Sequence, residues 1–165
     1  MFEVNDYVYY GTDGICQIDE IKTEPFENAP KGVLYYVLHT LGEPRQTIWN
    51  PVENTRIPMR HIMRKEEIGP LLASLSSLPT LQGENAKQMR EAYLQAIKSG
   101  EPRAWCQVIR TYHTRQKGAK AKLLRVTDAE RNFYESAKRL LLSEIALVTD
   151  STPKQVEERL KDLFF

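Results

Sequence analysis

The side chains able to do nucleophilic, acid–base or metal chemistry are scattered through the 165 residues. His39, His61 and His113 stand alone, with no HExxH and no cysteine at ligand spacing, and a lone histidine on a strand or helix is most often structural. Cys16 and Cys106 lie far apart and form no CxxC, so they read as semi-buried thiols in a reducing compartment. Glu66-Glu67 and Glu157-Glu158 have the pattern of solvated helix faces. Gly11-Thr12-Asp13-Gly14 lacks GxxxxGK and no helical pattern follows it, so it reads as a turn rather than a phosphate loop. No nucleophile, base and oxyanion site comes together. The expectation is a protein that is not an enzyme, with no metal, no cofactor and no small-molecule substrate.

The residues with a chemical theme are cations. Arg103, Arg110, Arg115, Lys117, Lys120, Lys122 and Arg125 fall between Arg103 and Val126, and no Asp or Glu interrupts them, in a chain whose formal net charge is +1. Such a stretch attracts polyanions, of which nucleic acid is the commonest. A solvated helix face followed by a basic loop would give the same composition. Charge also divides along the chain. Residues 1–78 carry 7 Lys+Arg against 11 Asp+Glu, and residues 79–165 carry 16 against 11. An acidic first half and a basic second half suggest two modules with different partners.

No apolar run approaches the ~20 residues needed to cross a bilayer. The opening MFEVNDYVYY has neither a basic segment nor a long apolar one, so it does not read as a secretory signal. A cytoplasmic protein with no membrane partner is expected.

The elements that position the cations follow from periodicity. Val4 to Tyr10, Ile15 to Ile21, Val33 to Leu41 and Gln46 to Trp49 are short runs rich in β-branched and aromatic residues, separated by Gly, Pro and Asp turns. A short last strand is expected within Val52 to Met59. This is the pattern of a small barrel or sandwich. From His61 to Ser77 the apolar spacing becomes helical, with Gly69-Pro70 at its start and a loop from Ser76 to Gly83. Asn85 to Ser99 is amphipathic, with Met89, Ala92, Tyr93, Ala96 and Ile97 on one face, Asn85 as cap and Gly100 as stop.

Pro102 opens the next helix, whose inward face is Trp105, Val108, Ile109 and Tyr112. Arg110, Arg115 and Lys117 fall away from that face. Gly118 is expected to close this helix, leaving Ala119 to Val126 as a basic connection. Thr127 and Glu130 form a capping box that opens a long helix to Val148, and Thr152-Pro153 with Gln155 opens a shorter one with Val156, Leu160 and Leu163 inward. Four or five helices make the second module.

Two sets of residues resemble one family. Phe2, Val4, Asp6, Val8, Tyr10, Gly14, Ile15 and Ile18, followed by Pro51-Val52-Glu53-Asn54, resemble the opening of the CarD/CdnL transcription regulators, a domain shared with transcription-repair coupling factors. In the second half, Ala92 to Gly100 and then Thr127, Glu130, Arg131, Ala137, Lys138, Leu141, Glu144, Ile145 and Ala146 are similar to the helical domain of the same family, in the same order.

The resemblance implies an α+β protein, with a Tudor-like (SH3-like) barrel over residues 1–62 and a helical domain over 63–165. It implies that the barrel binds the RNA polymerase β subunit by strand-to-strand contact. It further implies that the helical domain contacts promoter DNA at the upstream edge of the −10 element and keeps the open complex open. An exposed sheet edge has unpaired N–H and C=O groups to offer such a partner.

Carried onto this sequence, the polymerase contact falls on Arg45, Thr47, Ile48 and Trp49. Trp49 is either a hot spot on that edge or a core residue of the barrel. The DNA contact falls on Lys87, Arg110, Arg115, Lys117, Lys120, Lys122 and Arg131. Three positions depart from the family. Trp49 and Glu24 stand where arginines are common, and Ala86 stands where many members carry a tryptophan that wedges into the minor groove. Alanine cannot act as an unstacking wedge, so backbone charge contacts are expected to carry more of the binding. The alternative reading is a protein–protein adaptor on RNA polymerase or a repair factor, with no direct DNA contact.

Overall fold

The computed structural model describes residues 1–11, 13–122 and 125–164. The chain forms two compact units, Met1–Ile62 and Met63–Phe165. The fold class is α+β, a five-stranded antiparallel sheet followed by helices.

In the first unit the strands are β1 (Tyr7–Tyr10), β2 (Gly14–Thr23), β3 (Leu34–Thr40), β4 (Thr47–Pro51) and β5 (Met59–His61), in the order β4-β3-β2-β1-β5. Val8, Tyr10, Cys16, Ile18, Tyr36 and Leu38 form the core, with Phe2, Ile48 and Met59 packed at its margin. Alternation along β1 and β2 supplies this inner face. A register shift between Ile18 and Glu20 bends β2, as bulges do where a small sheet must curl. The sheet coils far enough that its two end strands meet through side chains, with Asn50 Nδ2 lying 3.7 Å from Met59 Sδ.

Two sequence expectations need adjusting here. β1 starts at Tyr7 rather than Val4, because Asn5 takes a φ of 74° and turns the chain before the ladder begins. β5 occupies Met59–His61, sharing only Met59 with the stretch expected for it, since pairing with β1 through Val8↔His61 and Tyr10↔Met59 fixes its place. Thr12, in the expected turn, lies outside the described residues.

The second unit holds α1 (Lys65–Ser74), α2 (Ala86–Lys98), α3 (Pro102–Lys122), α4 (Asp128–Val148), α5 (Pro153–Arg159) and α6 (Lys161–Phe164). α4 is central. It packs against α1, α2, α3 and α5 and buries Tyr134, Ala137, Leu141, Leu142, Ile145 and Ala146. Trp105, Val108, Ile109 and Tyr112 of α3 are buried as their spacing requires. Asn85 accepts from the Gln88 N–H at 2.9 Å and caps α2, while Gly100, at a φ of 74°, supplies the left-handed residue after that helix. Both capping boxes form, at Thr127/Glu130 and Thr152/Gln155.

Three helical expectations are corrected. Gly69-Pro70 does not begin α1 but lies inside it. Proline removes one main-chain bond, while the first turn is held by the Arg64 N–H donating to the Glu67 carboxylate at 2.7 Å. Gly118 does not close α3, which continues to Lys122. One glycine costs a helix about 1 kcal/mol against alanine, and the Ala-Lys-Ala-Lys run after it consists of strong helix formers. The expected basic connection is therefore, as far as Lys122, the end of α3, and Leu123 and Leu124 lie outside the described residues. Leu163 is exposed rather than inward, because it belongs to the separate short α6 rather than to the face of α5 that buries Val156.

Candidate functional site

β4 is an edge strand, and its hydrogen-bonding pattern determines what the edge offers. Paired residues of an antiparallel ladder alternate between hydrogen-bonded and non-hydrogen-bonded pairs. The Thr40 N–H donates to the Gln46 carbonyl at 3.0 Å and the Val52 N–H to the Leu34 carbonyl at 2.9 Å. With Leu38↔Ile48 and Tyr36↔Asn50 in the same register, the backbone groups of Ile48 and Asn50 turn toward β3. Those of Thr47 and Trp49 therefore face the open side. Pro51 follows at the next outward position, where its missing N–H leaves no orphan donor.

Side chains alternate in the same way. Ile48 packs on the core and Asn50 is buried, while Thr47 and Trp49 lie on the other face, with Trp49 45% exposed. The two readings of Trp49 are thereby separated, since it is a surface residue. Its ring lies 5.5 Å from that of Phe26, itself 5.6 Å from Tyr35, so an aromatic patch borders the edge. Arg45 is exposed, with Nη2 3.9 Å from Asp19 Oδ2. Asp19 also accepts from or faces His39 Nδ1 at 2.8 Å. Glu24, at a φ of 51°, and Glu27 are exposed in the loop that carries Phe26, giving the patch an acidic border. Of the four residues expected at this contact, Arg45, Thr47 and Trp49 present side chains, and Ile48 does not.

The cations of the helical unit divide into groups. Lys87 at the start of α2 and Lys117 on α3 are exposed. Arg131 is exposed on the first turns of α4, 3.9 Å from Asp128 Oδ1. Arg115 is half-exposed and its Nε donates to Glu130, whose side chain is almost fully covered. Glu130 is held in turn by the Thr127 N–H at 2.9 Å. The capping box thus anchors the carboxylate that anchors Arg115. Arg110 is only partly exposed, and its Nε is buried without a hydrogen-bond partner. Lys120 and Lys122 belong to the last turn of α3, and their side chains lie outside the described residues. Arg115 is thus tied to Glu130, the residue before Arg131 in the sequence, and Arg110 is less exposed than either arginine.

Beside the Arg115–Glu130 pair is a cleft of about 500 Å³ between α2 and α4. Ala86, Met89, Tyr93 and Phe133 line it, together with Arg115 and Glu130. The Tyr93 and Phe133 rings stack with centroids 5.2 Å apart and planes 4° apart. Gly83 closes one end so tightly that a Cβ there would lie 2.6 Å from the Met89 nitrogen. Sequence reasoning placed Tyr93 only among core residues and did not single out Phe133 or Arg90. Periodicity on one helix carries no signal for a cleft shared with another.

The remaining reactive groups are quiet. Cys16 and Cys106 are buried and unpaired, and burial pushes both thiols up to about 12, away from the thiolate form that nucleophilic or redox chemistry needs. Burial, with Lys117 and Lys138 nearby, lowers the pKa of His113 and keeps it neutral. Among the described residues, no three His, Cys, Asp or Glu side chains are grouped to hold a metal ion. Among them, no helix is long and apolar enough to cross a membrane.

The geometry has an open strand edge on one unit and exposed cations on the helices of the other. Comparison with known families agrees with that division. Residues 2–63 match the CarD-like/TRCF RID domain, and residues 71–161 match the CarD C-terminal domain. A search of curated proteins gave no match. With both domains matched in order, and one of them covering more than half of the sequence, the chain belongs to the CarD family of RNA polymerase-interacting transcription regulators.

Proposed function

We propose that the chain binds the RNA polymerase β subunit through the β4 edge, and that its helical unit binds promoter DNA near the upstream edge of the −10 element to stabilise the open complex. The observation that carries this reading is the free β4 edge. It has two residues, Thr47 and Trp49, with backbone groups directed outward, and an exposed tryptophan beside them. A partner strand gains main-chain hydrogen bonds from such an edge, and the Trp49–Phe26 patch supplies specificity. Docking there raises the local concentration of the helical unit at the promoter, so a modest DNA affinity suffices. Lys87, Arg115, Lys117 and Arg131 are exposed and would meet the phosphates. The protein acts by shifting a conformational equilibrium toward melted promoter, and no bond is made or broken by it.

A second reading has one observation in its favour. Arg115 and Arg131 each face a carboxylate of their own chain, Glu130 and Asp128, which weakens their pull on phosphate and suits an adaptor whose helical unit docks another protein.

The test is the lifetime of the open complex, formed with purified polymerase and challenged by competitor, with and without the full chain. A longer lifetime that disappears in an Arg115→Glu/Arg131→Glu variant supports the DNA-binding reading. An unchanged lifetime defeats it. Unchanged promoter binding by the charge-reversed variant favours the adaptor.

A further inference from the structure

Backbone groups on the β4 edge can hold a partner strand, but they do not choose its sequence. Two large aromatic side chains beside that edge, Trp49 and Phe26, are left 45% and 38% exposed. Their ring centroids lie 5.5 Å apart with planes tilted by 56°. Phe26 in turn meets the buried Tyr35 edge-on, with centroids 5.6 Å apart and planes at 77°. The two outer rings thus form a tilted corner, and part of each remains open to a ligand.

Phe26 is carried by the loop between β2 and β3. The Ala29 N–H donates to the Phe26 carbonyl at 3.2 Å, and Glu24 and Asn28 take φ values of 51° and 64°, so the loop is folded back on itself. It encloses an open hollow of about 620 Å³, lined by Phe26, Glu24, Glu27 and Lys31 among others. Residues 24–31 set the carboxylates of Glu24 and Glu27 against the single ammonium of Lys31, and all three side chains are exposed. Among the described residues neither Glu24 nor Glu27 joins an ion pair. The other cations on this side are occupied, since Lys22 is held by Glu20 at 2.5 Å and Arg45 lies 3.9 Å from Asp19.

A strand added to β4 places alternate side chains on the face that Trp49 occupies, with Cβ atoms roughly 5 Å from its own. A long side chain there reaches across the indole toward Phe26 and the loop. Aromatic faces attract cations through the ring quadrupole, and free carboxylates add to that pull. An apolar side chain would cover the rings and leave the carboxylates unused. An acidic one would be repelled. A guanidinium suits the corner best, because its plane stacks on a ring while its N–H groups bond a carboxylate.

We propose that the polymerase strand paired with β4 carries an arginine or lysine at the position facing Trp49, and that the Trp49–Phe26 corner selects it together with Glu24 and Glu27. The inference rests on the strand-edge reading above, and the experiment separates the two.

The full chain is titrated, without DNA, against RNA polymerase core enzyme over a series of salt concentrations. Glu24→Gln/Glu27→Gln should weaken binding roughly fivefold, the scale of an exposed cation–π or ion-pair contact. It should also flatten the salt dependence, and it should leave the thermal transition unchanged because both side chains are exposed. A fluorinated tryptophan at position 49 withdraws charge from the ring face with little change of shape, and should weaken binding by a similar factor. Wild-type affinity in either variant overturns the proposal and leaves the strand-edge reading standing. Tighter binding by the double-glutamine variant also overturns it, identifying an acidic side chain at that position. Failure of the wild-type chain to bind core enzyme overturns both.

Discussion

Arg115 of α3 donates through Nε to Glu130 of α4, and Glu130 is at the same time the reciprocal partner in the Thr127 capping box. One carboxylate thus starts a helix and holds a cation that would otherwise be available to phosphate. The Glu130→Gln variant separates these roles, because glutamine serves a capping box as well as glutamate does. Removing the charge should release Arg115 to DNA and steepen the salt dependence of duplex binding, by up to about 0.9 in log–log slope for one added phosphate contact. Arg115 is half-exposed but Glu130 is nearly covered, and glutamine has one acceptor oxygen where both oxygens of Glu130 accept, so the stability cost should exceed the ~1 kcal/mol of an exposed pair. Fluorescence anisotropy across a salt series reads the slope. A slope at or below that of the wild type would show that Arg115 does not reach DNA.

The β4 edge gives a sharper separation between binding and stability. Trp49 is a surface residue, so Trp49→Ala should change the melting temperature little, while truncation of a hot spot costs roughly 2 kcal/mol or more of binding. Thr47→Pro tests the backbone alone. The N–H it deletes faces outward, whereas the groups of Ile48 and Asn50 that join β4 to β3 are untouched. Both variants should lose binding to an isolated polymerase β lobe while keeping the wild-type thermal transition. Retained binding by Thr47→Pro would mean that the partner does not pair with this strand.

The sequence made the local signals visible and the non-local ones invisible. Asn85, Thr127 and Thr152 mark helix starts because capping chemistry is confined to a few adjacent residues. Trp105, Val108, Ile109 and Tyr112 mark the buried face of α3 because helical period alone sets it. β5 carries no such signal. Met59-Arg60-His61 becomes a strand only through β1, far away in sequence. Trp49 was ambiguous for a related reason, since alternation assigns it a face but strand order decides whether that face is covered. Gly118 misled because a stop signal read in isolation was outweighed by the helix formers after it. The cleft was missed because Tyr93 fits the buried stripe of α2 so well that its contact with Phe133 of α4 left no mark on the sequence.

Alkaline pH should destabilise the protein over the same range in which its lysines are discharged. Cys16, Cys106 and Tyr93 are almost fully buried, and burial holds each at about 12 against ordinary values of 9.0 for the thiols and 10.0 for the phenol. Their folded forms keep the proton after the unfolded chain has released it. Stability is therefore complete below pH 9 and falls as pH rises toward 12, by about 1.4 kcal/mol per unit for each group within its window. Cys106→Ala and Tyr93→Phe should flatten this decline in the helical unit, as followed by circular dichroism. The same burial makes thiol labelling slow in native protein and fast only on unfolding. Rapid labelling of both cysteines at neutral pH in the folded state would contradict it.

Glu144 is a buried acid with a structural task. It is fully buried on α4, and its Oε1 accepts the Met63 N–H at 2.6 Å, fixing the first residue of the helical unit to the central helix. Glu144→Ala leaves that donor without its acceptor and opens a void beside Ala137, Leu141 and Ile145, the buried neighbours along α4. The expected loss is roughly 2–4 kcal/mol, combining an unsatisfied buried donor with a cavity. Glu144→Gln keeps an acceptor of the same shape and should recover part of it. Chemical denaturation of the full chain, followed by far-ultraviolet circular dichroism, measures both. If Glu144→Ala were as stable as the wild type, the Met63 contact would contribute nothing to the fold, and the anchoring of α4 to the start of the helical unit would have to come from apolar packing alone.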